Sequence, residues 1–302
     1  PPRSTLFPYT TLFRSKKYEA MFRPMIADKS LFRIADFVSE QPNIPAYYGL
    51  QSIGGYSPSK MRNIQDVMDV ANFGRYAGNT NYVVNETVWN LMNMKYVIAP
   101  APPNYIFQKD STRNVYALVA PQNIQQKSEY YIFENKSMLP RAFFVDRAEV
   151  ADNMAALNHL KNEDFDPRQI AFVDRRPAVA IDTVDSTAVA DYKEFKNEYI
   201  KIEANATGNN LLFVSEMYYA PCWKAYIDGQ ETEIYRTNFA FRSVVVPRGK
   251  HTVEFKFVSK GFETGRTLSI AGNILIGLAL VGGTVLELRS RKRRKDEKQS
   301  AE

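Results

Sequence analysis

Four aromatic residues crowd one short stretch of the sequence, with Tyr218, Tyr219, Trp223 and Tyr226 in YYAPCWKAY. Aromatic faces stack on the apolar faces of sugar rings while the phenol and indole edges keep polar partners, so this spacing suits a saccharide-binding platform. A tryptophan in a small β-sandwich also serves as core filling, and that use of Trp223 stands beside the first. Two acid pairs, Asp164 with Asp166 and Glu231 with Glu233, have the composition of a glycosidase dyad. Both read more simply as solvated turn charges. The chain has one cysteine and two histidines. Cys222 alone excludes an internal disulfide and a thiolate metal cluster, and His159 and His251 are too few for a typical histidine metal site. Neither histidine sits in a nucleophile-and-base motif. No catalytic residue, metal ligand or cofactor is therefore expected from the residues themselves.

The elements that must carry these side chains change character along the chain. Residues 16–182 read as mixed α+β. SIGGYSPSKMRNIQDVMDVAN predicts a loop turning at Gly54 and Gly55, then a helix from about Pro58 that Ser57 can cap. NETVWNLMNMKYVIAP predicts a helix and a short strand over Tyr96–Ala99, stopped by Pro100. NVYALVA, YYIFEN, RAFFVDRAEV and DPRQIAFVD are strand-like, and NMAALNHLKN is helical. The region contains neither a phosphate-cradling glycine loop nor an internal repeat. From residue 183 to 262 short runs rich in β-branched and aromatic residues alternate with TGNN, DGQ and RGK, which predicts a small all-β sandwich. Asp228-Gly229 between two such runs is a hairpin signal, because glycine accepts positive φ without steric cost.

The sandwich is followed at once by an uncharged run, Leu268 to Leu286. As a helix rising about 1.5 Å per residue it reaches roughly 28 Å, close to the ~30 Å hydrocarbon core of a bilayer. A transmembrane helix is expected over 267–288, with membrane lipid as its partner. A basic tail follows it over 289–302. Seven basic residues in that tail set it on the cytoplasmic side and leave the body extracytoplasmic. The tail supplies +4 of the net charge of +6, and of the 32 basic and 30 acidic residues elsewhere Arg3 and Arg14 in the first fifteen positions account for the remaining excess. A neutral body excludes a nucleic-acid binder, which needs a basic face to displace phosphate counterions.

The first fifteen residues, PPRSTLFPYTTLFRS, lack the order of charge, apolar core and cleavage site that a signal peptide has. They resemble translated sequencing-adapter read-through. Residues 1–15 are set aside as non-native, and the chain is expected to be the back part of a longer protein.

SEMYYAPCWKAYIDGQETEIYRTNFAFRSVVVPRGKHTVEFKF resembles the C-terminal signature of the bacterial YfhO-like membrane protein family. The shared positions include Ser215, Glu216, Tyr218, Tyr219, Trp223, Lys224, Asp228, Gly229, Arg236, Asn238, Pro247, Gly249, His251 and Glu254. Cys222 stands where the family pattern carries glycine. SIGGYSPSKMRNIQDVMD and WNLMNMKYVI are similar to family segments in the same order. The resemblance implies a polytopic parent in the bacterial cytoplasmic membrane, similar to C-type glycosyltransferases that use a polyprenyl-phosphate-linked sugar. Their catalytic acid belongs to an early extracytoplasmic loop, so none is transferred to this chain. The implied role is an accessory or acceptor-binding part in cell-envelope glycan or glycolipid assembly. The alternative is a single-span surface protein that binds glycan or a partner protein through its sandwich.

Overall fold

A computed structural model describes residues 15–71, 85–100, 115–123, 125–162, 164–219 and 221–299. The chain divides into two compact units, one ending at Lys256 and one beginning at Phe257.

Among the described residues three sheets build the first unit. The smallest takes β1 (Arg33–Asp36), β2 (Met94–Ala99), β3 (Tyr116–Ala120) and β4 (Tyr131–Asn135) in the order β1-β2-β4-β3. β1 runs parallel to β2, and the remaining pairs are antiparallel. Helix α1 (Lys16–Ala27) covers one face of this sheet, burying Met21, Phe22 and Met25 against Ile34, Tyr96, Ile98 and Ile132. Ser15 caps it by accepting from the Tyr18 amide.

The second sheet joins β5 (Ala142–Val145), β6 (Arg147–Val150), β7 (Ile170–Val173), β10 (Asn210–Met217), β13 (Tyr235–Thr237) and β14 (Phe241–Val246), in the order β5-β10-β14-β13-β7-β6. The third is ordered β12-β11-β15-β9-β8, from β8 (Val189–Lys196), β9 (Tyr199–Ala206), β11 (Trp223–Ile227), β12 (Gln230–Thr232) and β15 (Gly249–Phe257). These two sheets make the sandwich. Strands β5 to β7 come from before residue 183, so the sandwich draws on chain from both sides of that position.

In this sheet β5, β7, β10 and β14 are buried along most of their length, which explains why they are nearly continuous apolar runs, whereas β6 at the edge is largely exposed. In β5 and β10, Ala142, Phe144, Leu212 and Val214 enter the core between the two sandwich sheets. Their neighbours Phe143, Val145, Leu211 and Phe213 point the other way. That second core also takes Val97 and Phe133 of the four-stranded sheet and the apolar faces of α3 (Arg62–Val70), α4 (Glu86–Leu91) and α5 (Asn153–His159). Trp89 anchors it, buried and donating from Nε1 to the Ala71 carbonyl at 2.9 Å.

Several expectations shift by a turn. α3 starts at Arg62 and has Met61, without a side-chain cap, at its N-cap. Ser57 instead closes a turn, its Oγ accepting from Ser59 N and its carbonyl from Lys60 N. α1, α2 (Ile44–Tyr47) and β1 lie in a part of the mixed α+β region for which the sequence reading specifies no individual elements. The stretch after Pro100 and the start of NVYALVA lie outside the described residues.

The second unit carries one long helix, α6 (Lys260–Gln299), of 40 residues. Its apolar side chains are unshielded: Leu275 is 67 % exposed, Ile276 60 % and Leu280 68 %. The segment Lys260–Lys292 is long and apolar enough to cross a membrane, and none of its most apolar window is buried. An apolar helix that nothing covers has no reason to be stable in water, and a bilayer supplies the missing burial.

Candidate functional site

The edge of β1 organises a polar cleft. The chain after α2 returns alongside β1, with Ile34 N donating to the Gln51 carbonyl at 2.8 Å and Ile53 N to the Ile34 carbonyl at 2.9 Å. The following glycines turn it outward. Gly55 has φ +137, a conformation that a side chain would strain, and an added Cβ would lie 3.3 Å from Asn43 Oδ1. Asn43 clamps the loop by accepting from Tyr56 N at 2.8 Å and donating to the Tyr56 carbonyl at 3.0 Å. The result is a cleft of about 480 Å³ lined by Arg33, Asn43, Ser52, Lys60, Met61 and Ile64, among others.

Arg33 leads from this cleft into a buried charge cluster. It donates to the Met92 carbonyl at 2.8 Å, to Ser215 Oγ at 3.0 Å, to the Ser215 carbonyl at 2.8 Å and to Glu216 Oε2 at 3.2 Å. Arg141, 3 % exposed at its side chain, donates to Glu216 Oε1 at 2.7 Å, Gln51 Oε1 at 2.7 Å and Asn93 Oδ1 at 3.3 Å. Arg242 is the third cation. Its guanidinium lies over the rings of Trp223 and Phe255, 4.2 and 4.8 Å from their centroids.

The electrostatics follow from that crowding. Burial alone would raise the Glu216 carboxyl, but Arg33, Arg141 and Arg242 together hold it below the usual range. Burial lowers Arg33 to about 10, with repulsion from Arg141 adding to it and attraction from Glu216 opposing it. Burial likewise brings Arg242 to about 10, against the attraction of Glu216. Arg33 and Arg242 stay charged at neutral pH. The cluster therefore carries three positive charges against one carboxylate, in a place where water can do little to screen them. Chemically this is a site that attracts anionic oxygen, with hydroxyl and amide groups at its cleft to orient a polar ligand.

Two of the aromatic residues singled out by sequence, Trp223 and Tyr226, point to opposite faces of one strand. Along β11 the alternation of a strand sends Trp223, Ala225 and Ile227 toward the sandwich core. Tyr226 points the opposite way, where Lys256 Nζ sits 4.9 Å from its ring centroid. Tyr219 is exposed, and its carbonyl accepts from Cys222 N and Trp223 N in the turn before β11. Tyr218 N bonds the Ala240 carbonyl at 2.7 Å, and its hydroxyl helps hold the Arg175 guanidinium charged. The acid pairs do not converge either. Glu231 pairs with Lys224 at 2.8 Å and Glu233 with Arg175 at 2.7 Å, while Asp166 closes a turn by accepting from Arg168 N. His159 stacks on Phe172 at 3.8 Å. Among the described residues no group of three or more metal-ligating side chains forms.

Sequence reasoning missed the arginine cluster, although it leaves a trace. Arg141 and Arg242 interrupt or border strongly apolar runs, RAFFV and FRSVVV, and Glu216 ends another, LLFVSE. A charge inside such a run must find a partner, and it was the partners, distant in sequence, that could not be read.

An α+β body with a two-sheet sandwich, continued by an unshielded apolar helix, defines a membrane-attached protein. The chain belongs to the family described as bacterial membrane protein YfhO, whose family model matches residues 13–165 and 178–269. The matched blocks include Arg33, Arg141, Glu216 and Arg242 as well as the cleft loop. Comparison with curated proteins and with solved structures gave no match.

Proposed function

We propose that this chain is the extracytoplasmic, C-terminal portion of a polytopic membrane protein similar to C-type glycosyltransferases, and that it is an accessory, acceptor- or donor-binding part in cell-envelope glycan or glycolipid assembly. The observation that carries the reading is the cleft, which combines two cations, Arg33 and Lys60, with serine and asparagine side chains and an apolar wall of Met61 and Ile64. Such a lining suits a sugar joined to a phosphate and a lipid, whose three parts are polar, anionic and apolar. Membership of a membrane protein family and the bare helix α6 support attachment to the membrane that holds such ligands. The basic tail after the span supports a cytoplasmic C-terminus and an extracytoplasmic body.

The reading is tested with the whole chain reconstituted in lipid nanodiscs and a fluorescent polyprenyl-phosphate-linked hexose. Saturable binding is expected, weakened about tenfold in Lys60→Glu, or ~1.4 kcal/mol, with no sugar transferred to any acceptor. Transfer by this chain would make it catalytic. No binding would favour the single-span surface protein that contacts glycan or protein through its sandwich.

A further inference from the structure

Arg242 is the cation of the cluster that feels the Glu216 charge without bonding any carboxylate among the described residues. It lies on β14 opposite Val214 of β10 and Arg236 of β13, and it is 1 % exposed. The rings of Trp223 and Phe255 both lie against its guanidinium, and an aromatic face offers an N–H group no strong acceptor. Nε and Nη1 are buried and have no acceptor among the described residues. The hydroxyl of Tyr192, on β8, is buried without a partner as well. Tyr192 packs against the same sandwich core as Trp223 and Phe255, the two rings at Arg242, and it feels the charges of Glu216, Arg141, Arg242 and Arg33.

Glu216 bonds Arg141 through Oε1 and Arg33 through Oε2, and neither oxygen bonds Nε or Nη1 of Arg242. Two buried positive charges are left over, together with open donors. An ion left without a counter-ion in the interior is costly, and so is a buried N–H without an acceptor. Water would answer the donors but bring no charge, and its own protons would then need acceptors. A monatomic anion brings charge, accepts from several directions at once and has no protons to place. A weakly hydrated monovalent anion also loses less on leaving water than a phosphate or sulfate does.

We propose that Arg242 and Tyr192 hold a small monovalent anion of the halide class inside the arginine cluster, as a built-in counter-ion of the sandwich. The site is separate from the cleft, which Arg33 lines and Arg242 does not.

The experiment is a thermal melt of the full chain in a neutral detergent at fixed pH and ionic strength, with sodium gluconate replaced stepwise by sodium chloride or bromide. A saturable rise of a few degrees is expected, absent in Arg242→Met and shifted to higher halide concentration in Tyr192→Phe. Melting that does not depend on halide, or an equal dependence in Arg242→Met, overturns the proposal. So does a rise seen with phosphate or sulfate and not with halide. If Arg242→Met fails to fold, crystals soaked in bromide decide the matter for the unaltered chain: an anomalous peak in hydrogen-bonding contact with Arg242 supports the site, and no peak there rejects it.

Discussion

Asp228 shows how one side chain can tie two elements. Its backbone at φ 50 and that of Gly229 at φ 84 form the tight turn between β11 and β12, the hairpin expected from the dipeptide. Its Oδ1 accepts from Thr252 N at 2.8 Å and its Oδ2 meets His251 Nδ1 at 2.6 Å, which binds the turn to β15. The hydrogen bond to Asp228 raises the His251 pKa above 6.5, with burial opposing it. The same bond, followed by that from Thr252 N, lowers Asp228 below 3.8. The imidazole's share of stability is complete below its unfolded value and is lost as pH rises through the folded pKa. The carboxylate's share is present above its unfolded value and is lost as pH falls through its folded pKa. The pair therefore contributes most between those two unfolded values. With Asp228 52 % exposed the contribution is at most about 1 kcal/mol. Asp228→Asn keeps a residue that tolerates positive φ, so the turn persists while the charge goes. In a proton NMR titration His251 should then fall back toward 6.5, and the variant should melt lower than the parent at pH 5.5, with a smaller difference at pH 9. An unshifted His251 would refute the pairing.

At the scale of elements, apolar periodicity was a good guide wherever burial was one-sided or complete. The β10 and β14 runs, NLLFVSEM and FRSVVV, are strands as their composition demands. β8, VADYKEFK, escaped notice because it has one neighbour in its sheet and carries charged residues on its outer face. Such charges blunt a sheet edge against further pairing and also hide the strand from a hydrophobicity reading. Helix α6 is the opposite case, visible from composition alone. Its role as an anchor gives a direct expectation: Ile276→Arg, near the middle of the apolar run, should cost about 2.5–3.5 kcal/mol of insertion free energy. After alkaline carbonate extraction of membranes less of this variant should stay in the pellet, while Leu288→Arg, beside the basic tail, should behave like the parent. Equal retention of both variants would mean that α6 is not the anchor.

For the whole molecule the open quantity is its orientation across the bilayer. With Cys222, the one cysteine of the sequence, replaced by serine, single cysteines at Gln230 and Gln299 report on the body and the tail. A thiol reagent that cannot cross membranes should label Gln230→Cys in intact spheroplasts and reach Gln299→Cys only after lysis. The reverse pattern would invert the proposed topology and remove the cleft from the side where envelope glycans are assembled.

What the sequence determined by itself are properties that neighbouring residues decide together: the strand-rich stretch after residue 183, the Asp228-Gly229 turn, the apolar helix with its basic end, and the family signature around Trp223. Each rests on local sterics, on a period of burial or on a run of charge, and these can be read from a few consecutive side chains. The tertiary structure alone decided the rest. Strands β5 to β7 join a sheet whose other members lie more than thirty residues further on. Arg33, Arg141 and Arg242 meet at Glu216 from β1, the entry to β5, β14 and β10. Trp223 and Tyr226, three positions apart, part to opposite faces because β11 is a strand with a period of two. Charge pairing and sheet order depend on which distant segments share a core, and no local pattern in the chain encodes that choice.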